Sequence, residues 1–101
     1  MEEDLLKIIE HFGINNQQRK LHEEVFELNE AITNYQIAKK SVYTQNFDIL
    51  RKHIAEEITD VEVMLLQIKE YYHIDGNEIL EIMNNKIKRT LDRIESGYYE
   101  K

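Results

Sequence analysis

A chain of 101 residues has room for one hydrophobic core, and the whole of it, 1–101, reads as a single domain. It contains no cysteine, which excludes disulfides, zinc-thiolate sites and thiol nucleophiles and fits a cytoplasmic protein. The formal net charge of −7 argues against nucleic acid as a partner. No apolar run reaches the roughly 20 residues of a membrane span, so no membrane association is expected.

Proline is absent and only Gly13, Gly76 and Gly97 interrupt the chain, so an all-α fold is predicted. A short first helix runs from about Glu3 to His11 behind an acidic start, Met1-Glu2-Glu3-Asp4, that lacks the basic region of a signal peptide. A second opens at Asn15 or Asn16 as N-cap and runs to about Ala38, with an apolar stripe of Leu21, Val25, Leu28, Ile32 and Tyr35. Lys39 to Asn46 lose the pattern and form a loop. The third helix, about Phe47 to Tyr72, carries the stripe Phe47, Leu50, Ile54, Ile58, Val61, Leu65, Ile68 and Tyr72, widened by Val63, Met64 and Leu66. So wide an arc predicts contacts on more than one side. After a break at His73-Ile74-Asp75-Gly76, where Asp75 and Glu78 have capping-box spacing, the fourth helix runs from about Asn77 to Glu95. Ile79, Met83, Ile87, Thr90 and Ile94 are its expected inward face. The core is expected over about 13–95, with 96–101 as a short tail. The predicted architecture is an antiparallel bundle of four main helices, one short and three longer.

One acidic phrase occurs twice. Leu21-His22-Glu23-Glu24-Val25-Phe26-Glu27-Leu28 and Ile54-Ala55-Glu56-Glu57-Ile58-Thr59-Asp60-Val61 share the pattern apolar-x-Glu-Glu-apolar-x-acid-apolar. With Leu21 and Ile54 as stripe centres, Glu24 and Glu57 lie roughly 60° to one side and Glu27 and Asp60 roughly 120° to the same side, at 100° per residue. Glu23 and Glu56 point outward. Each inner pair has i,i+3 spacing, so antiparallel packing of the two helices brings four carboxylates toward one point. Such oxygen donors suit a hard divalent cation, Mg²⁺ or Mn²⁺. Without one, the four anions repel and their pKa values rise. Glu-rich helix faces are commonly just solvated; two copies in register with two core stripes set these apart.

The fourth helix carries a basic counterpart. With Met83 as stripe centre, Lys86, Arg93 and Arg89 fall on one flank at roughly 60°, 80° and 120°. These residue types suit phosphate oxygens, although cations also complement the dipole at a helix's C-terminal end. Glu70-x-x-His73 is half of the paired motif of carboxylate-bridged di-iron bundles, and no second copy is present. His22 and His53 flank the acidic phrases and are expected at the surface, where they have access to a substrate base.

The set Gln17-x-x-Lys20-Leu21-x-Glu23-Glu24-x-x-Glu27-Leu28, Glu56-Glu57-x-x-Asp60-Val61 and Asn85-Lys86-x-x-Arg89 resembles the MazG-like all-α nucleoside triphosphate pyrophosphohydrolases, over about Gly13 to Glu95. The resemblance implies Mg²⁺-dependent hydrolysis of a nucleoside triphosphate to the monophosphate and pyrophosphate. Glu24, Glu27, Glu57 and Asp60 would be the metal ligands, with Glu24 or Glu27 as first candidate for the base. Lys86 and Arg89 would hold phosphate, and Gln17 and Lys20 match positions near the site. It also implies a homodimer or homotetramer, with the site completed in an oligomeric bundle. The alternative is a non-catalytic helical interaction domain, a degenerate relative whose acidic residues serve solubility.

Overall fold

Four helices carry the chain, α1 (Glu2–Phe12), α2 (Ile14–Lys40), α3 (Phe47–Tyr71) and α4 (Gly76–Glu95), and the described residues include no strand. The structure, a computed structural model, describes residues 1–43 and 45–100. Thr44, in the expected 39–46 loop, lies outside them. No helix is long and apolar enough to cross a membrane among these residues.

Gly13 both ends α1 and starts α2. Its N–H donates to the Ile9 carbonyl at 2.8 Å and its own carbonyl accepts from Gln17 N–H at 3.0 Å. Its φ of 85° is open to glycine and strained for other residues, while a Cβ there would meet no neighbour within 4 Å. The turn is so short that neither Asn15 nor Asn16 serves as the expected N-cap. The Asn16 amide instead reaches back to the Phe12 carbonyl at 2.7 Å.

α2 and α3 run antiparallel and make the main packing, with α1 laid across them through buried Leu5 and Ile9. Gln17 meets Gln67 at one end of the pair, and Tyr35 meets Phe47 edge-to-face at the other. The inward line of α2 is Gln17, Leu21, Glu24, Leu28, Ala31, Tyr35 and Ala38, in steps of four and three. It departs from the expected stripe, because Val25 and Ile32 are exposed and Glu24 and Ala31 take their places. Small alanines allow close approach of α3, whose inward line is Leu50, Ile54, Glu57, Val61, Met64 and Gln67. Ile58, Leu65 and Tyr72, expected inward, are exposed.

Gln17 Nε2 donates to Gln67 Oε1 at 2.8 Å, and both residues are buried. Gln67→Ala is expected to destabilise the chain by about 1–3 kcal/mol, because the Gln17 amide is then buried without a partner. Replacing both with leucine should recover most of the loss, and chemical denaturation of the two variants measures the difference.

α3 ends in a Schellman turn. Ile74 N–H bonds to the Lys69 carbonyl at 3.0 Å and His73 N–H to that of Glu70 at 3.1 Å, with His73 at φ 54° in the position glycine usually holds. Asp75 then caps α4, its carboxylate accepting from Asn77 N–H at 2.7 Å.

α4 packs against none of the other three helices. Most of its expected inward face is open instead, with Met83 53%, Ile87 58% and Ile94 59% exposed, while Ile79 is half-buried in a groove shared with Leu66 and Ile68 of α3. The chain therefore packs as three helices with a projecting fourth, and the four-helix bundle is not closed within one copy. The dimensions agree, because the radius of gyration is 17.7 Å where a compact domain of this length has about 13 Å.

Candidate metal centre

Because Glu24 and Glu57 both stand on inward lines, the antiparallel pairing of α2 and α3 sets them face to face. One carboxylate oxygen each from Glu24, Glu57 and Asp60 lies within 4.8 Å of the others, a group able to hold a metal ion. The three grade from buried Glu24 through half-buried Glu57 to exposed Asp60, so the group is anchored in the interface and opens to solvent on one side.

Two buried carboxylate oxygens, Glu24 Oε2 and Glu57 Oε2, have no hydrogen-bond partner among the described residues. Their companions are engaged, Glu24 Oε1 by Lys20 Nζ at 3.1 Å and Glu57 Oε1 by His53 Nε2 at 3.3 Å. The ion pair with Glu24 raises the Lys20 pKa above its ordinary 10.5. Buried, unpaired carboxylate oxygens are costly, and an oxygen-seeking divalent cation would offset that cost for both at once. By this measure the donor set fits Mg²⁺ or Mn²⁺.

Glu27, the fourth expected ligand, is exposed and lies outside the group of three. The charge of Glu24 holds its carboxyl above the ordinary 4.5, with desolvation and the charge of Glu57 adding to this. A carboxyl whose folded pKa exceeds its unfolded one favours the fold below the unfolded value, and that contribution is lost as pH rises through the folded value. Glu27→Gln is accordingly expected to raise the melting temperature of the metal-free chain near about pH 7 and to leave it unchanged near about pH 4. A calorimetric pH series checks both.

The other expected site residues are dispersed within one copy. Gln17 is committed to Gln67 in the α2–α3 interface. Lys86 and Arg89 are exposed on α4, which packs against neither carboxylate-bearing helix. Arg93 stacks on the Tyr98 ring at 4.6 Å, and its carbonyl accepts from Tyr98 N–H at 2.9 Å, so this residue helps to end α4. Glu23 and Glu56 are exposed, as expected. Glu70 pairs with Lys69 at 3.0 Å and His73 forms the α3 turn, so the Glu-x-x-His spacing is occupied by structural roles. His22 is exposed beside Glu23 and Glu27 in an open groove.

Two roles escaped the sequence reading. Gln67 gave a signal, a polar residue inside an apolar arc, but its partner Gln17 could not be read from spacing. His53 stands four residues before Glu57 as Lys20 stands before Glu24, a regularity visible in the sequence once the two carboxylates are known to be inward. In comparisons with family models, curated proteins and solved structures, nothing matches this chain.

Proposed function

We propose that this chain is a MazG-like, Mg²⁺-dependent (Mn²⁺-supported) pyrophosphohydrolase that converts nucleoside or deoxynucleoside triphosphates to the monophosphate and pyrophosphate, clearing unwanted nucleotides from the pool. The observation that carries this reading is the pair of buried, partnerless oxygens on Glu24 and Glu57 beside Asp60. Those three carboxylates would hold the cation, with Glu27 next to them. When bound there, Mg²⁺ would neutralise triphosphate charge and polarise the attacked phosphorus. Glu27, exposed and one helical turn from Glu24, is placed to take the proton of the attacking water. The water oxygen bonds to phosphorus, the anhydride bond between the α and β phosphates breaks, and pyrophosphate leaves against basic side chains.

Lys86 and Arg89 supply those cations when α4 of a second copy lies over the α2–α3 face. Two observations support assembly into a homodimer or homotetramer. α4 has no partner in its own chain. The accessible surface is 8468 Å², about 2,400 Å² more than a compact monomer of 12.2 kDa exposes, whereas a standard interface takes about 800 Å² from each partner.

The test is a panel of ribo- and deoxyribonucleoside triphosphates incubated with the chain and Mg²⁺. Pyrophosphate release from at least one, stopped by a chelator and restored by added Mg²⁺, is the expected result. No release from any of them would favour a non-catalytic interaction domain.

A further inference from the structure

The acidic repeat has a second regularity, a base four residues ahead of each buried carboxylate: Lys20 before Glu24 on α2 and His53 before Glu57 on α3. Each base spans one helical turn and lies against Oε1 of its carboxylate, Lys20 Nζ at 3.1 Å and His53 Nε2 at 3.3 Å, and in both cases Oε2 is buried without a hydrogen-bond partner among the described residues. The Glu24 side chain is only 8% exposed and that of Glu57 12% exposed, so neither free oxygen has solvent as a ready alternative. The terminal torsion of a glutamate is broad and soft, and a carboxylate with no anchor would swing between orientations. A donor fixed on one oxygen removes that freedom and presents the other in a single direction, which is how outer partners orient metal ligands.

We propose that His53 is a positioning residue of the metal centre: standing against Glu57 Oε1 through Nε2, it keeps Glu57 Oε2 turned toward Glu24 and Asp60, as Lys20 does for Glu24 on the opposite helix. This rests on the metal-centre reading above. A neutral imidazole with its proton on Nε2 is sufficient for the role, so no charge on His53 is required. Its side chain is half exposed, and replacing it leaves the packed interface intact.

The test is Mn²⁺ binding to the full chain, measured by titration calorimetry on the unaltered protein, His53→Ala and His53→Gln. Glutamine keeps a neutral N–H donor of similar reach. His53→Ala is expected to weaken Mn²⁺ binding roughly 10- to 100-fold with unchanged stoichiometry, and His53→Gln to restore most of it. Equal affinity in His53→Ala, tighter binding in His53→Ala, or a glutamine variant as weak as the alanine one would each overturn the positioning role. A lower metal-free melting temperature with unaltered Mn²⁺ affinity would do the same, since it marks a purely structural contact. Failure of the unaltered chain to bind Mn²⁺ would instead refute the metal centre itself, and the positioning role with it.

Discussion

Glu57→Gln is expected to lower pyrophosphate release by about 100-fold or more, while circular dichroism stays that of the unaltered chain. Glutamine has the same size and keeps an oxygen beside His53, so the α2–α3 packing has no reason to change. What disappears is the anionic Oε2, one of the two oxygens that lie buried without a partner. Glu56→Gln, one position earlier and exposed, is the matched control and should be nearly silent, as should Glu23→Gln on α2. Loss of activity at Glu56 or Glu23 as complete as at Glu57 would mean that the phrase acts as a diffuse acidic surface.

Ile87→Asp is expected to release single chains of 12.2 kDa, read by sedimentation at micromolar concentration. Ile87 lies at the middle of the open face of α4, with Met83 and Leu91 one turn to either side. Burying one such side chain contributes about 1.5–3 kcal/mol, and a two-fold interface uses it twice, so its loss costs about 3–6 kcal/mol. That is roughly 10²–10⁴ in the dissociation constant, before the added cost of burying aspartate. Activity should fall with assembly, because in the proposed assembly Lys86 and Arg89 come to the carboxylates from a second copy. An unaltered chain that sediments as a monomer, or an Ile87→Asp variant as active as it, would contradict a composite site.

The number, type and approximate limits of the helices were legible because the chain lacks proline and its glycines stand at or near helix ends. The acidic residues that meet were legible in part: Glu24, Glu57 and Asp60 were named from their offsets, and Glu23 and Glu56 were set outside. The inward lines were legible only in part: Leu21, Leu28, Tyr35, Leu50, Ile54 and Val61 lie on them as expected, while other stripe residues do not. Hydrophobicity placed Val25 and Ile32 toward α3, whereas Glu24 and Ala31 face it. Apolar character marks a face that needs covering and does not say by which chain. On α2, α3 and α4 many of the larger apolar residues lie on faces that their own chain leaves open, while the seam between α2 and α3 takes alanine, glutamine and glutamate in among its leucine, isoleucine, valine and methionine. A single-chain stripe therefore mixes the buried seam with faces that the chain leaves exposed. The same mixing placed the α4 face inward, and the positions of Lys86 and Arg89 relative to the carboxylates depend on contacts that one sequence does not specify.

Phosphorus NMR of a triphosphate that the panel shows to be consumed, followed with the unaltered chain and Mg²⁺, separates the possible bond cleavages directly. Pyrophosphate and nucleoside monophosphate growing in equal amounts, and neither appearing with Glu57→Gln, is the predicted result. Accumulation of nucleoside diphosphate and inorganic phosphate, or equal turnover by the Glu57 variant, would contradict hydrolysis at this carboxylate centre.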